Sequence, residues 1–414
     1  MKILFLSYDY FPAGSAEAKL LHNLLSELIR HEDCQIDLLT LKNDQYQPRE
    51  EVIDGVHVFR ETAAIAVSLK QSTRLSVLRR IPLYCEKMLD VISAKDKRRF
   101  LAPGPIRALY RGLKRLHAEQ YDAVVPVSAY FETFAAVDRY IMRRELKPPV
   151  VQYQLDPLAS NGAYLGASRK AREKLEAVIS QKAAAIVTTP LLLEVKLKAG
   201  IDARGVTCCE FPSVIDLTGE DSSAGHKETR VVFAGYLHER IRNPEYTLKL
   251  FSHLPESTAQ LHIIGGGYEE LVESYARESS GKIVRCGVLP ADRAREQVKS
   301  ADFLVNIGNS DISFVPSKIF EYISTGKPVI NIYKYPDCPT LEYFSHYPNA
   351  LSLYEGADDF DGQLNLLKGF LLANKGKRLS YREISSEFLP CTAGYVAQKF
   401  YDILKNTIER RKQA

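Results

Sequence analysis

The chain has 414 residues, which is longer than most single domains and predicts two domains of about 200 residues each. Hydrophobic residues make up 45% and charged residues 26%, which excludes disordered, collagen-like and disulfide-scaffold proteins. The net charge of +4 conceals an asymmetry, because residues 67–117 contain 13 Lys and Arg against 3 Asp and Glu. This basic segment carries +10 and leaves −6 for the remainder, a distribution that indicates an interaction surface.

The seven cysteines are scattered, with no C-x-x-C pair and no histidine at zinc-finger spacing, so we expect buried thiols in a reducing compartment. The apolar run at residues 1–7 is too short for a signal peptide. No stretch approaches the roughly 20 apolar residues that span a bilayer. These features predict a cytoplasmic protein, or one peripheral at the inner face of a membrane.

Short apolar, β-branched runs alternate with helical stretches, as in parallel sheets joined by crossover helices. The first half contains six predicted strands: 2–7, 35–41, 56–60, 122–127, 149–154 and 184–189. The second half contains five: 230–234, 260–264, 282–286, 302–307 and 328–333. The pattern predicts an α/β protein with two doubly wound Rossmann-like domains, one after the other.

The polar segment 217–230 lacks apolar periodicity and is predicted to link the domains. The predicted boundaries are 1–217 for the first domain and 228–390 for the second. Apolar residues at helical spacing over 395–411 predict a terminal helix within 391–414, which we expect to pack back on the first domain.

Ligands of open parallel sheets bind at the carboxyl ends of the strands, so two facing sheets predict a site in the cleft between the domains. Gly14 and Ser15 follow the first strand and precede a helix, where free amides favour an anion or a ligand hydroxyl. A tight strand-to-helix turn explains the same residues equally well. The loop does not have the G-x-G-x-x-G pattern of nicotinamide-binding proteins.

Gly235, Arg240 and Arg242 follow the first strand of the second domain, where two guanidinium groups suit a diphosphate. A solvated charged loop is the alternative. Gly265 and Gly267 end the next strand, and glycines there allow either backbone contact with a ligand or relief of a crowded turn.

The stretch 313–331 carries the strongest pattern. Ser317 follows a proline and is predicted to cap a short helix that ends at Thr325 and Gly326. Amides near Ser317 and the charge of Lys318 suit phosphate oxygens, and Glu321 suits a pair of vicinal hydroxyls. Lys318 and Glu321 are also residues that simply stabilise a first helical turn.

The segment 315–330, Val-Pro-Ser-Lys-Ile-Phe-Glu-Tyr-Ile-Ser-Thr-Gly-Lys-Pro-Val-Ile, resembles the donor-site motif of family 4 glycosyltransferases, which have the GT-B fold and retain anomeric configuration. The likeness extends to the opening strand with its Pro-x-x-Gly loop, to segments 183–190 and 211–216, and to the Ile-Gly-Gly-Gly at 264–267. It therefore covers nearly the whole chain.

The resemblance implies that the second domain binds a nucleotide sugar, such as a UDP- or GDP-sugar, and that the first receives the acceptor. It implies catalytic roles for Arg242, Lys318 and Glu321, with Glu321 on the ribose and the other two on the diphosphate. Donor contacts are implied at the loop residues that follow the strands of the second domain and at the start of the short helix: Gly235, Arg240, Gly265, Gly267 and Ser317. Acceptor-side positions are Gly14, Ser15 and Asp156, although Asp156 is also a typical Asp-Pro turn residue.

Two positions depart from the family pattern. The family's first glutamate is replaced by Ser313, and the arginine that often follows the first glycine is Tyr236. These changes leave two alternatives open: a non-catalytic partner protein with the same fold, or a nucleotide-sugar 2-epimerase.

The implied activity is transfer from a nucleotide sugar to a glycan or lipid-linked glycan in bacterial surface polysaccharide synthesis, with no metal and no cofactor. The basic segment interleaves leucine and isoleucine with its cations, which suits an anionic membrane surface. A solvated helical face or a flap over the acceptor site fits the same pattern. No nucleic-acid-binding motif accompanies the charge, so we expect no nucleic-acid partner.

Overall fold

The computed structural model describes the chain except for residues 12–14, 44–45, 64–100, 129, 142–147, 157–167, 199–204, 221–227, 239–240, 257, 311–314 and 414. Gly14, Arg240, Ser313 and residues 67–100 of the basic segment therefore lie outside the described residues. The chain divides into two compact units. Unit 1 comprises Met1–Pro212 and Ala393–Ala414, and unit 2 comprises Ser213–Thr392.

Unit 1 contains an eight-stranded sheet in the order β3-β4-β2-β1-β5-β6-β7-β8. All of its strand pairs are parallel except β3–β4. Its central strands β1, β2 and β5 are almost entirely buried, as expected for strands with helices on both faces. The strands are β1 (Lys2–Leu6), β2 (Gln35–Leu41), β3 (Glu50–Ile53), β4 (Val56–Glu61), β5 (Ala123–Ser128), β6 (Val151–Gln154), β7 (Ala185–Thr188) and β8 (Val206–Cys208).

Helices cover both faces of this sheet, and the side chains of β1 alternate between two apolar cores. Ile3 and Phe5 belong to one core, and Leu4 and Leu6 belong to the other. The helices described in this unit are α1 (Ala16–Leu28), α2 (Pro103–Arg115), α3 (Glu132–Ile141), α4 (Arg169–Ser180), α5 (Pro190–Lys198) and the terminal helix, labelled α13 below (Ala393–Gln413).

Unit 2 contains a parallel six-stranded sheet in the order β11-β10-β9-β12-β13-β14. Its strands are β9 (Arg230–Ala234), β10 (Gln260–Ile264), β11 (Ile283–Gly287), β12 (Phe303–Ile307), β13 (Val329–Tyr333) and β14 (Ala350–Tyr354). Its described helices are α6 (Glu245–Ser252), α7 (Glu269–Glu278), α8 (Ala291–Lys299), α9 (Lys318–Ser324), α10 (Thr340–Ser345), α11 (Phe360–Asn374) and α12 (Tyr381–Glu387). Two apolar cores lie on the two faces of this sheet.

All eleven predicted strands are present, and the expectation of two doubly wound α/β domains is confirmed. Three further strands were not predicted. β3 begins with two glutamates, β8 has only three residues, and β14 is half-exposed at the sheet edge, so none of them forms a long buried apolar run. β8 and β14 gain their partners from tertiary context, which sequence periodicity does not contain. β3 instead pairs with the adjacent β4 across the two-residue turn Asp54–Gly55, where both residues have positive φ, and an Asp-Gly pair is the local signal of such a hairpin.

The terminal helix α13 spans Ala393–Gln413 and packs against α1 in unit 1. The ring of Phe400 lies 6.0 Å from that of Phe5 and 5.1 Å from that of Tyr153. Unit 2 begins a few residues before the predicted boundary at 217, because Ser213 and Val214 donate backbone hydrogen bonds to the carbonyl of Cys391. The chain returns from unit 2 to unit 1 between Thr392 and Ala393, directly after Cys391.

Candidate functional site

The strand order of the unit 2 sheet reverses between β9 and β12. The chain proceeds from β9 to β10 and β11 on one side, and then adds β12, β13 and β14 on the other. Loops at the carboxyl ends of the two strands beside such a switch point border the ligand site of doubly wound sheets. In unit 2 these loops are 235–244 after β9 and 308–317 after β12.

Arg242 joins the two loops. Its Nε and Nη2 atoms donate to Oδ1 of Asn309 at 3.1 and 2.8 Å, and Nη1 donates to the carbonyl of Tyr236 at 3.3 Å. Burial lowers the pKa of the guanidinium, which remains charged at any physiological pH. A guanidinium has five N–H donors, and its bonds to the described residues engage three of them, which orients Arg242 and leaves two donors able to bind a ligand.

The glycines after β9 and β10 let two loops approach closely. Gly265 has φ +130°, and a Cβ atom there would lie 1.8 Å from the carbonyl oxygen of Gly235. Gly267 has φ +91°, and its Cβ would lie 2.0 Å from the carbonyl oxygen of Leu237. Crowding between the loops therefore explains both glycines, as the second of the two sequence interpretations proposed. At Gly235 a Cβ would lie 3.6 Å from Nη1 of Arg242, so Gly235 borders the guanidinium.

Helix α9 and its N-cap carry the remaining residues that were predicted to contact the donor. Nζ of Lys318 lies 3.2 Å from Oε2 of Glu321, one turn along the helix. Tyr322 is buried, and its hydroxyl accepts from the amide of Ala234 at 3.0 Å, which ties α9 to the end of β9. The position of α9 relative to Gly235 is thus set by this hydroxyl.

Ser317 lies at the predicted N-cap position of α9 but does not make the hydrogen bond that is typical of a serine cap. Ser317 occupies the N-cap position, but its backbone is already helical (φ −57°, ψ −23°) and its side chain makes no capping hydrogen bond. A side-chain cap requires an extended backbone at that residue, which explains the difference. The C-terminal end agrees with the prediction, because α9 stops at Ser324 and Gly326 follows with φ +71°.

Sequence reasoning missed Asn309, which holds the guanidinium of Arg242. Asn309 follows the buried strand β12, and a polar residue just after a buried strand was the available signal. The structure brings Gly235, Arg242 and Asn309 together. Lys318 and Glu321 belong to the same end of the sheet through the bond of Tyr322 to Ala234.

The switch point of unit 1 lies between β1 and β5, where the chain leaves β1 for β2 and later adds β5 on the opposite side. Ser15 caps α1: its hydroxyl accepts from the amide of Ala18 at 3.0 Å and donates to Oδ1 of Asp9 at 2.8 Å. This capping bond explains a serine at the start of α1. Asp156, the predicted acceptor-side residue, lies just after β6, and its amide donates to the carbonyl of Ser128.

Two further acids, Asp9 and Glu17, lie at this end of unit 1, and the sequence assigned them no role. Burial is the first cause that raises the pKa of Glu17, to about 8, and the charges of Asp9 and Asp156 add to it. Burial also raises the pKa of Asp156 to about 6, and it raises the pKa of Asp9 above its ordinary range. Only burial in the folded chain, which no sequence pattern reports, distinguishes these acids from surface carboxylates.

Within the described ranges, no three His, Cys, Asp or Glu side chains are arranged to hold a metal ion. The helices in that part of the chain include none long and apolar enough to cross a membrane. The cysteines that the structure describes form no disulfide with one another; Cys34, Cys209, Cys338 and Cys391 are buried, and Cys208 and Cys286 are half-buried.

Comparison with known proteins connects this architecture to solved structures. No protein-family profile and no curated protein matches the sequence. A sucrose-phosphate synthase from Thermosynechococcus elongatus is 15% identical with a TM-score of 0.55, and the match covers 100% of this chain and 97% of the synthase. An α,α-trehalose 6-phosphate synthase from Burkholderia multivorans is 10% identical with a TM-score of 0.61, covering 99% and 100%.

A lipopolysaccharide outer core galactosyltransferase is 14% identical with a TM-score of 0.56, covering 98% of this chain and 99% of its own. Identities this low establish a shared fold and nothing finer. The chain therefore folds as two Rossmann-like α/β domains, the GT-B fold of these glycosyltransferases.

Proposed function

We propose that the chain is a retaining glycosyltransferase of family 4 that moves a sugar from a nucleoside diphosphate sugar to a glycan or lipid-linked glycan. Unit 2 binds the donor and unit 1 binds the acceptor. The observation that carries the proposal is Arg242, which is oriented by Asn309 at the switch point of unit 2 and, within the described ranges, has two N–H donors beyond its three bonds. The neighbours support the fold, and their printed activities favour sugar transfer over other chemistry.

The chemistry follows from the charges that these residues supply. Negative charge develops on the leaving diphosphate as the bond to the sugar breaks, and preorganised donors stabilise it. Arg242 supplies a fixed planar donor, and Lys318 supplies a mobile ammonium once its contact with Glu321 opens. Glu321 would accept hydrogen bonds from the ribose hydroxyls, and no step assigned to these residues calls for a metal.

Nucleotide titration by calorimetry tests the donor site. We expect UDP or GDP to bind the native chain, and Arg242→Gln to weaken that binding about tenfold or more, because two charge-assisted hydrogen bonds are lost. Glu321→Ala should weaken binding of the nucleotide but not that of inorganic diphosphate, since the proposed contact of Glu321 is with the ribose. Arg285→Gln is the matched control, because Arg285 is a half-exposed cation of β11 that pairs with Glu273.

Absence of nucleotide binding in the native chain would contradict the proposal and favour the non-catalytic alternative. Conversion of a nucleotide sugar without an acceptor would favour the epimerase. Activity that is abolished by a chelator and restored by a divalent cation would overturn the metal-independent part alone.

The role in bacterial surface polysaccharide synthesis, at the cytoplasmic face of the membrane, belongs to the same proposal. Its support is the basic segment 67–117. In the described part of that segment, Arg115 pairs with Glu50 and Glu61, and Arg111 donates to the carbonyl of Thr62. These two cations are engaged within unit 1, so the charge available to a membrane comes mainly from the other cations of the segment.

A further inference from the structure

The carboxyl end of the sheet in unit 1 holds a buried acid with an unused oxygen. Glu17 is 4% exposed. Its Oε1 atom lies 2.8 Å from Oγ of Ser7 and accepts from the amide of Tyr8 at 3.3 Å. Among the described residues, its Oε2 atom has no hydrogen-bond partner. A buried polar atom without a partner costs free energy, which suggests that a ligand completes it.

The charge on Glu17 decides what Oε2 can bind. Ser7 donates its hydrogen bond to Oε1, so an ionised Glu17 presents Oε2 as an acceptor. Without a bound cation the carboxyl is mostly protonated near neutral pH, because its pKa is raised to about 8. A cation beside Oε2 favours the ionised form, so the matching ligand brings both a positive charge and a hydrogen-bond donor.

The groups around Glu17 add negative charge. Asp9 from the loop after β1 and Asp156 from the end of β6 both raise the pKa of Glu17. Glu132 of α3 acts with those three acids on the hydroxyl of Tyr130, which follows β5. Every charged group that perturbs Glu17, Asp156 or Tyr130 in the described chain is acidic. These acids hinder one another's ionisation, and a bound cation would stabilise their ionised forms, whereas a neutral ligand would not.

Two aromatic rings complete the surroundings. The rings of Tyr8 and Tyr130 lie 4.3 Å apart, and the hydroxyl of Tyr130 is within electrostatic reach of Glu17, Asp9 and Asp156. The ring of Tyr130 remains partly open to solvent. Tyrosine faces beside carboxylates bind ammonium groups through cation–π attraction together with charge-assisted hydrogen bonds.

We propose that the carboxyl end of the unit 1 sheet contains a subsite for a protonated amine, bound by Oε2 of Glu17, by Asp9 and Asp156, and by the faces of Tyr8 and Tyr130. The inference rests on the proposed function only in regarding the ligand as the acceptor. On that basis the acceptor is an amino sugar or another amine-bearing glycan.

A matched pair of sugars tests the subsite. We expect glucosamine to bind the full-length protein about tenfold more tightly than glucose near neutral pH, because one charge-assisted pair distinguishes them. The affinity for glucosamine should rise between about pH 5 and about pH 7 as Asp156 ionises, while that for glucose stays constant. Calorimetry or ligand-observed NMR measures both.

Glu17→Gln presents either an amide nitrogen or a neutral oxygen in place of Oε2. It should abolish the tenfold preference, because an amide cannot ionise to pair with an ammonium group. Asp156→Asn should reduce the preference and flatten the pH dependence. Glu27→Gln, near the other end of α1, removes one charge from the same helix and should leave the preference intact.

Equal affinities for the two sugars, a preference that survives Glu17→Gln, or failure of both sugars to bind would overturn the amine subsite. None of these results depends on nucleotide binding. Nucleotide binding without amine preference would leave the proposed function standing, and amine preference without nucleotide binding would leave the subsite standing and remove the glycosyltransferase.

Discussion

At the level of single residues, the carboxyl group of Glu17 lies at the start of a well-formed helix and yet is buried beside two other acids. Its pKa in the folded chain, about 8, lies above the ordinary value of 4.5. The folded state therefore binds more protons than the unfolded state between these two values, and the free energy of unfolding falls as the pH rises through that window. The contribution of this group to stability is fully present below the ordinary value.

Glu17→Gln should remove this loss of stability because the amide cannot ionise. Between about pH 5 and about pH 8, we expect the melting temperature of the native chain to fall further than that of the variant. At the higher pH the variant should be the more stable of the two. Circular dichroism melts at both pH values measure the difference, with Glu27→Gln as the control, because Glu27 is a partly exposed acid of the same helix that pairs with Arg30. Parallel pH profiles for native chain and variant would contradict the pKa shift. A stabilised variant also excludes unfolding as the reason for a loss of amine binding.

At the level of elements, the site of unit 2 depends on how closely the loops after β9 and β10 approach each other. The carbonyl oxygens of Gly235 and Leu237 occupy the space that side chains at 265 and 267 would need. The amide of Leu237 donates to the carbonyl of Gly266, which holds the two loops in register. Any side chain at 265 must therefore displace the loop that carries Arg242.

Gly265→Ala should lower the free energy of unfolding by about 3 kcal/mol, because it combines a backbone collision with an unfavourable φ. It should also weaken nucleotide binding through the displaced Arg242. Gly376→Ala separates the two causes, since Gly376 has φ +78° but no atom within 4 Å of its added Cβ. That control should cost only about 1 kcal/mol. Urea unfolding compares them, and equal losses would show that the collision is absent.

How much of this was predictable differs between fold and site. Buried apolar runs such as Phe303–Ile307 locate the strands, and helical spacing locates the terminal helix, because both patterns are local. Arg242 and Gly235 could be nominated because they follow a first strand. Asn309 offered one local signal, its place just after a buried strand. Its bond to Arg242 and the roles of Asp9 and Glu17 could not be predicted, since they arise from burial and from contacts between segments distant in sequence.

At the level of the whole molecule, the charge is unevenly distributed along the chain. The basic segment 67–117 lies in unit 1 by sequence, and the rest of the chain is acidic. Cations spread over leucine-rich sequence attract an anionic membrane surface with about 1 kcal/mol each, and salt screens that attraction.

Vesicles test this attraction. The native chain should sediment with vesicles that contain anionic lipid, and it should remain in solution with neutral vesicles or at high salt. Neutralising Arg79, Arg80, Arg98 and Arg99 should release it. Arg115→Gln should have little effect on sedimentation, because Arg115 is already paired with Glu50 and Glu61. Unaltered binding of the fourfold variant would contradict a membrane role for the segment.

The terminal helix α13 has a consequence for synthesis. It supplies Val396, Phe400, Leu404 and Ile408 to the core of unit 1, although it follows the whole of unit 2 in the chain. Domains fold as units while the chain leaves the ribosome. Unit 2 therefore emerges before α13 does, and until then Phe5 and Tyr153 are not covered by Phe400. We expect the incomplete unit 1 to be more prone to aggregation than unit 2 during that interval.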